Sequence, residues 1–206
     1  MATPLKAVNI SPPNMDRVMV HIVGTSPYMQ AKFSKKAEIM AKMQEGSAAR
    51  SKKTRTARDY DNDCKGAMYI SSAGWNGIPA SAFRKAMISA CRLVGFKMTL
   101  AKLAVFVEAD GLDADEGTPL IRINGAWERS DMPVRNATGV IDIRSRPMWR
   151  EWSADVLIRF DMDQFTHLDV VNLMARVGAQ VGIGEGRPDS KDSAGIGFGL
   201  FEISNP

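Results

Sequence analysis

The spacing of apolar residues predicts two main helices. In the first, over residues 80–94, apolar positions recur every three or four residues, while Arg84, Lys85 and Arg92 lie off that stripe. The second follows Asp163, which can cap it, and is expected to run to about residue 180. Its predicted buried stripe consists of Leu168, Val171, Met174, Ala175 and Gly178. A shorter helix is predicted over residues 35–44, with Ser34 as its cap.

Alternating or continuously apolar runs predict the strands. Residues 152–160 alternate well, residues 17–24 alternate in part, and residues 103–109 form a buried run. Asn124-Gly125 is a strong turn pair, so it predicts a hairpin between residues 119–124 and 127–130. Further short strands are expected at residues 68–71, 140–144 and 198–203.

Once the insertions are set aside, the predicted elements follow the order β-α-β-β-α-β. This is the ferredoxin-like order, an α+β fold in which two helices pack on one face of an antiparallel sheet. We therefore predict a single domain over residues 1–206. It carries a basic insertion over residues 34–66 and a hairpin or loop elaboration over residues 110–150.

Composition and charge add little to this picture. The 206 residues are 45% hydrophobic, and the net charge of +4 tolerates an anionic partner without establishing one. Cys64 and Cys91 form no CxxC motif, so we expect reduced thiols in a cytoplasmic protein. The first sixteen residues contain three prolines and no apolar run, and no stretch approaches ~18 apolar residues. We therefore expect no signal peptide and no membrane association.

The position of the charge is more informative than its total. Five cations fall within nine positions, and Asp59, Asp61 and Asp63 follow at once. Such a segment has almost no large apolar residues, so it is expected to be an exposed insertion that neutralises phosphates. The alternative is a solvated loop whose charge is balanced by the aspartates. The five cations are Arg50, Lys52, Lys53, Arg55 and Arg58.

A glycine-rich segment near the end of the chain is the second candidate for phosphate contact. Gly182, Gly184 and Gly186 alternate with other residues and lead to Arg187. Backbone N–H groups in such a loop can face phosphates. The alternative is a loop that only returns the last strand to the sheet. The segment lacks the lysine and hydroxyl of a nucleotide-triphosphate loop and follows a helix, which argues against Walker and Rossmann sites.

Several aromatic side chains could stack on bases. Tyr28 and Trp75 are the predicted stacking residues, and Trp149 lies among Arg144, Arg146 and Arg150. The alternative for each is burial in the core, as the alternation of residues 152–160 indicates for Trp152.

Catalytic and metal-binding patterns are weak. His21 and His167 have no metal-ligand spacing, and the three aspartates at 59–63 lack the glycine and glutamate of a calcium loop. We predict no catalytic residues, no metal and no cofactor. The enzymatic alternative is a metal-dependent nuclease that uses Asp110, Asp113 and Asp115.

Three segments together resemble a known family. They are residues 24–29 (GTSPYM), residues 69–70 with 77–86 (YI and GIPASAFRKA), and residues 181–188 with 199–202 (VGIGEGRP and GLFE). In this order they resemble the RAMP superfamily, the RRM-like backbone subunits of CRISPR effector complexes, and in particular small phage-encoded proteins of that fold.

The resemblance implies a non-catalytic subunit that assembles in several copies along a guide RNA, in a bacterial cytoplasm, and that can meet a complementary nucleic-acid target. Segment 47–66 would then act as a thumb over the RNA, and the glycine-rich loop would lie against the RNA backbone. This requires both to border one groove. The predicted RNA contacts are Tyr28, Lys32, Lys35, Lys36, Arg50, Lys52, Lys53, Arg55, Arg58, Trp75, Arg84, Gly182, Gly184, Gly186 and Arg187.

Two other functions fit the same sequence. A phage single-stranded DNA-binding protein would use the same cations without a preference for the 2′-hydroxyl. A virion or assembly protein would direct the basic segment at an acidic protein surface instead.

Overall fold

The computed structural model of the chain describes residues 10–32, 59–135, 141–190 and 195–204. In these ranges the protein is α+β, with four α-helices and antiparallel sheets. The helices are α1 (Tyr60–Gly66), α2 (Ala80–Ala90), α3 (Met98–Ala104) and α4 (His167–Arg176). The strands are β1 (Met15–Gly24), β2 (Tyr28–Met29), β3 (Gly77–Pro79), β4 (Val105–Glu108), β5 (Gly111–Leu112), β6 (Pro119–Arg122), β7 (Trp127–Arg135), β8 (Ile141–Trp149), β9 (Ser153–Asp161) and β10 (Phe201–Ile203).

A four-stranded antiparallel sheet in the order β10-β1-β9-β4 forms the centre of the fold. Val20 pairs with Val156 and Ile22 with Ala154, so the apolar positions of β1 and β9 lie on one face. Helices α2 and α4 cover that face, and the ring of Phe83 on α2 lies 6.3 Å from the ring of Phe201 on β10. The predicted helix over residues 80–94 and the strands at 17–24 and 152–160 are therefore confirmed.

Two three-stranded sheets flank this centre, in the orders β2-β8-β7 and β3-β6-β5. Helix α1 lies against β8. The hairpin predicted between residues 119–124 and 127–130 is wrong, because β6 pairs with β3 and β5 while β7 pairs with β8. At the turn, the N–H of Asn124 donates to the carbonyl of Ser153 (2.9 Å), which directs the chain toward β9 instead.

Other boundaries also differ from the prediction. Residues 60–66, expected to be exposed insertion, form α1, because Asp59 caps it (3.0 Å to the N–H of Asn62) and Cys64 is buried. The strand expected from residue 103 begins at Val105, after α3. The final helix is capped by Thr166 rather than Asp163, and it continues into a π-helical turn, Val177–Val181. Residues 68–71 form only isolated bridges. The helix predicted over residues 35–44 lies outside the described residues.

Candidate nucleic-acid interface

A cleft of about 690 Å³ opens between α2 and the glycine-rich loop. Its floor is largely apolar, and the loop closes one side with Gly182, Gly184 and Arg187. Lys85 and Lys102 stand at its rim on exposed side chains. The structure thus brings Arg187 and two of the predicted glycines together with two lysines that the sequence analysis did not select.

The backbone of the glycine-rich loop is largely engaged within the protein. The N–H groups of Gly182, Ile183 and Glu185 donate to the carbonyls of Val177, Gly199 and Met29, at 2.8, 3.0 and 2.9 Å. The carbonyl of Gly186 accepts from the N–H groups of residues 196–198, and Gly186 does not line the cleft. The N–H of Gly182, which was predicted to face a phosphate, is therefore already bound within the protein.

The loop needs glycine at position 184 because it lies against β2. Gly184 has φ +79°, and a Cβ atom at this position would be 2.5 Å from the carbonyl oxygen of Met29 and 2.6 Å from the ring of Tyr28. Only a residue without a side chain fits both constraints. The loop therefore forms a fixed wall of the cleft.

Two carboxylates line the cleft, and arginines engage both. Glu185 pairs with Arg146 (2.7 Å) and lies 3.6 Å from Arg144, both on β8. Asp189 pairs with Arg92 (2.8 Å) and accepts from the hydroxyl of Ser89, and these bonds, the serine first, hold its pKa below the usual value despite burial. The cleft is therefore lined by three cations, Lys85, Lys102 and Arg187, and by two carboxylates that arginines already engage.

Arg84 has a structural role. Its guanidinium donates to the carbonyls of Val105 (2.9 Å) and Lys102, and it lies 5.0 Å from the centre of the Phe106 ring. These contacts fasten α2 to the end of α3 and to β4, so the guanidinium that was predicted to contact phosphate is engaged within the protein. Its bond to the carbonyl of Lys102 instead fixes the backbone that carries one of the cleft lysines.

Lys32 is also an internal residue. Its side chain is 2% exposed and its ammonium donates to Asp113 (2.7 Å) and Asp115 (2.8 Å). Burial alone would lower the pKa of Lys32, but these hydrogen bonds outweigh it and raise that pKa above its usual value. The same pairing lowers the pKa of Asp113 against the opposing effect of burial. The prediction that Lys32 contacts RNA is wrong, because two carboxylates already bind its charge.

Of the two predicted stacking residues, Tyr28 is buried and Trp75 is half-buried. Tyr28 is 2% exposed, with its ring 5.6 Å from both Trp149 and Trp152, and burial raises its pKa well above the usual range. Stacking by Tyr28 is therefore wrong. The ring of Trp75 packs over the backbone of Gly77 and Gly111 and is half-buried. Trp152 is a core residue, as the alternation predicted.

Seven predicted contacts lie outside the described residues, but the chain on either side of their segment and of α1 meets beside the cleft. The N–H of Lys32 donates to the carbonyl of Ala67 (3.0 Å). Gln30 and Ala31 line the cleft just before this junction, and Tyr69 lines it just after. The seven residues are Lys35, Lys36, Arg50, Lys52, Lys53, Arg55 and Arg58.

Of segment 47–66 the structure describes residues 59–66, which show where this end of the segment lies relative to the glycine-rich loop. Residues 60–66 form α1, which lies against β8, and Arg146 of the same strand binds Glu185 beside the Gly184 turn. The end of the basic segment and the glycine-rich loop thus both border β8.

The acidic loop is occupied by internal contacts. Asp113 is buried against Lys32 and also accepts from the N–H groups of Ile70, Asp115 and Glu116, while Asp110 accepts from the N–H of Arg122. Across the described ranges, no cluster of three or more histidine, cysteine or acidic residues has a geometry that could hold a metal. In the same ranges, no helix combines the length and apolar character needed to span a membrane.

Sequence reasoning missed Lys85, Lys102 and Tyr69 as parts of the site. Lys85 did lie off the apolar stripe of α2, which is the one local signal of its exposure. Lys102 lies on α3, a helix that the sequence analysis did not predict, so the direction of its side chain could not be inferred. No protein-family model and no curated protein matches this chain.

Proposed function

We propose that this protein binds single-stranded RNA without cleaving it, and that several copies assemble along one guide strand. The observation that carries the proposal is the concentration of positive charge in one segment of the sequence. Residues 33–58 contain eight lysines and arginines and two glutamates, whereas the rest of the chain contains nineteen lysines and arginines and twenty-one carboxylates. Essentially all the excess positive charge thus belongs to one segment, which suits a polyanion.

The way this segment is attached to the fold also supports RNA binding. The chain enters the segment at Lys32, which the buried pair with Asp113 holds in place, and it returns to Lys32 after α1, where the carbonyl of Ala67 accepts from the N–H of Lys32. Gln30, Ala31 and Tyr69 adjoin this junction and line the cleft that presents Lys85, Lys102 and Arg187. A strand bound by the segment can therefore lie across the cleft.

The sheet order supports a ferredoxin-like core. Helix α2 lies between β1 and β4 in the chain, and α4 lies between β9 and β10, in a sheet ordered β10-β1-β9-β4. The outer face of this sheet carries polar side-chain contacts, such as Arg17 with Glu108 (2.9 Å) and His21 with Asp155 (2.6 Å). We therefore place the RNA over the cleft and not on the outer face of the sheet.

Because the contacts come from cations and loops, the protein would read the backbone of the RNA, and base pairing of the bound strand would choose a target. The cations of the segment are the parts that a direct test should change.

The test is a salt titration of binding to a fluorescent single-stranded RNA. We expect the variant with alanine at Arg50, Lys52, Lys53, Arg55 and Arg58 to bind more weakly and to reduce the salt slope by up to about 3.5, at about 0.7 per lost phosphate contact. The matched control exchanges lysine and arginine at the same five positions, which keeps the charge, and should bind nearly as the natural protein does.

Two results would contradict the proposal. Unchanged affinity and slope in the alanine variant would favour a protein partner for the segment. Equal affinity for DNA of the same sequence would favour the single-stranded DNA-binding alternative.

A further inference from the structure

We propose that the cleft between α2 and the glycine-rich loop is a nucleotide pocket, which takes one nucleoside monophosphate with its base on the apolar floor and its phosphate at the cationic rim. Where that nucleotide is a residue of the bound strand, the inference rests on the proposed function. A free nucleotide has the same chemistry, and the test below separates the two sources.

The floor of the cleft suits a flat, mainly apolar group. Small residues of α2, Ala82 and Ala86, leave the space, and the buried side chains of Ile88, Val181 and Ile183 complete the surface. The volume of about 690 Å³ lies within the range of about 300–1,000 Å³ that is typical of small-molecule sites. A pocket of this kind is larger than an inorganic anion needs.

Tyr69 supplies an aromatic wall. Its side chain is half-buried and lines the cleft, and its N–H donates to the side-chain carbonyl of Gln30 (2.8 Å), which fixes the backbone at this position. Bases of any sequence can stack on such a ring, because every base has a flat aromatic face. The ammonium of Lys32 lies over the Tyr69 ring, 5.4 Å from its centre, so a base in the cleft would stack on the other face of this ring.

The rim suits a phosphate. Lys85 and Lys102 are exposed, and no carboxylate of the described residues pairs with either. Arg187 donates to the carbonyl of Gly184 (3.0 Å), which holds its guanidinium at the loop. The carboxylates that share the cleft are already bound by arginines of β8 and of the turn after α2. The rim is thus cationic in balance, which favours an anionic group.

The test is calorimetric titration of the whole protein with adenosine 5′-monophosphate, with adenosine and inorganic phosphate as partial ligands. We expect the monophosphate to bind at least tenfold more tightly than either part. The double variant Lys85→Ala with Lys102→Ala should lose about tenfold or more in affinity, since charge-assisted hydrogen bonds are lost. Ala82→Phe, which fills the floor, should abolish binding. The control Arg176→Ala removes an exposed cation that does not line the cleft, and it should bind normally.

The outcomes separate this proposal from the proposed function. Lack of monophosphate binding at millimolar concentration, or binding that the double lysine variant does not weaken, would overturn the pocket even if RNA still binds. Monophosphate binding without RNA binding would support the pocket and contradict the proposed function. If both bind, competition by the monophosphate identifies a strand residue as the occupant, and lack of competition identifies a free nucleotide. Because the lysine variant changes only exposed side chains, it tests the pocket even if Ala82→Phe unfolds.

Discussion

At the scale of single residues, the buried pair of Lys32 and Asp113 carries the largest structural consequence. Their side chains are 2% and 1% exposed, so neither charge is solvated by water. A buried charge without its partner is costly, although the intact pair adds little net stability. The pair therefore acts chiefly as a fixed anchor for the start of the basic segment.

We expect Lys32→Met to lower the free energy of unfolding by about 3–5 kcal/mol, because Asp113 is then buried without a counter-charge. Asp115→Asn is the matched control. The side chain of Asp115 is 76% exposed, so its loss should cost about 1 kcal/mol or less. Urea unfolding measures both, and equal small losses would contradict the assignment of Lys32 to the interior.

The glycine-rich loop offers a second comparison at this scale. Gly184 and Gly74 have similar backbone angles, φ +79° and +84°, but a Cβ atom at Gly184 would collide with Met29 and Tyr28, whereas none is within 4 Å at Gly74. Both alanine variants should lose about 1 kcal/mol to backbone strain. Gly184→Ala should lose roughly 1–3 kcal/mol more to the collision. Equal losses in thermal or urea unfolding would contradict the packed wall.

Residue identities were only partly predictable from the sequence. The alternation of residues 152–160 correctly placed Trp152 in the core. Lys32 was misread as an RNA contact, since its partner Asp113 lies 81 positions away and no local pattern links them. Tyr28 was misread for a related reason, because its burial depends on Trp149 and Trp152, which belong to distant parts of the chain.

At the scale of elements, β8 connects the glycine-rich loop to α1. Its Arg144 and Arg146 both approach Glu185, and the N–H of Glu185 separately holds the loop to Met29. The carboxylate therefore competes with any phosphate for two arginines, while the docking of the loop does not depend on it.

We expect Glu185→Gln to tighten RNA binding and to steepen its salt dependence, because Arg144 and Arg146 become available to phosphates. The matched control is Glu128→Gln, which also releases one arginine, Arg150 (2.6 Å), but lies outside the cleft. Anisotropy titrations at several salt concentrations compare the two. A gain no larger than that of the control would show that these arginines lie away from the RNA.

Elements were easier to predict than their pairing. Helix α2 and strands β1 and β9 follow from periodicity alone, because their buried faces repeat within one segment. The partner of β6 did not follow, since the Asn124-Gly125 signal is local whereas β6 pairs with β3, which lies about forty residues earlier. Helix α1 was missed because its seven residues are mostly polar and form no apolar stripe.

At the scale of the whole molecule, the shifted pKa values predict a plateau of stability against pH. Three aspartates have pKa values below the ordinary 3.8, because hydrogen bonds to their charged form outweigh the opposing effect of burial. The stability that they add above pH 3.8 is therefore lost as the pH falls through their lower folded pKa values. The other two are Asp169 and Asp189.

At alkaline pH the relevant pKa values are raised instead of lowered, so stability is lost as the pH rises. Burial raises the pKa values of two cysteines above 9.0 and of two tyrosines above 10.0, so the stability they add at lower pH is lost as the pH rises past those values. These residues are Cys64, Cys91, Tyr28 and Tyr69. Urea unfolding should thus give a nearly constant free energy between about pH 5 and pH 8. A free energy of unfolding that stays constant as the pH falls below 3.8 or rises above 10.0 would contradict these shifts.

The central claim is that the molecule holds an RNA strand by means of its basic segment and the adjoining cleft. The most direct measurement is to purify the protein from its native host and to sequence the nucleic acid that accompanies it. We predict a defined population of RNA, sensitive to ribonuclease and absent from the five-alanine variant. Recovery of DNA alone, or of no nucleic acid with the folded protein, would contradict the account.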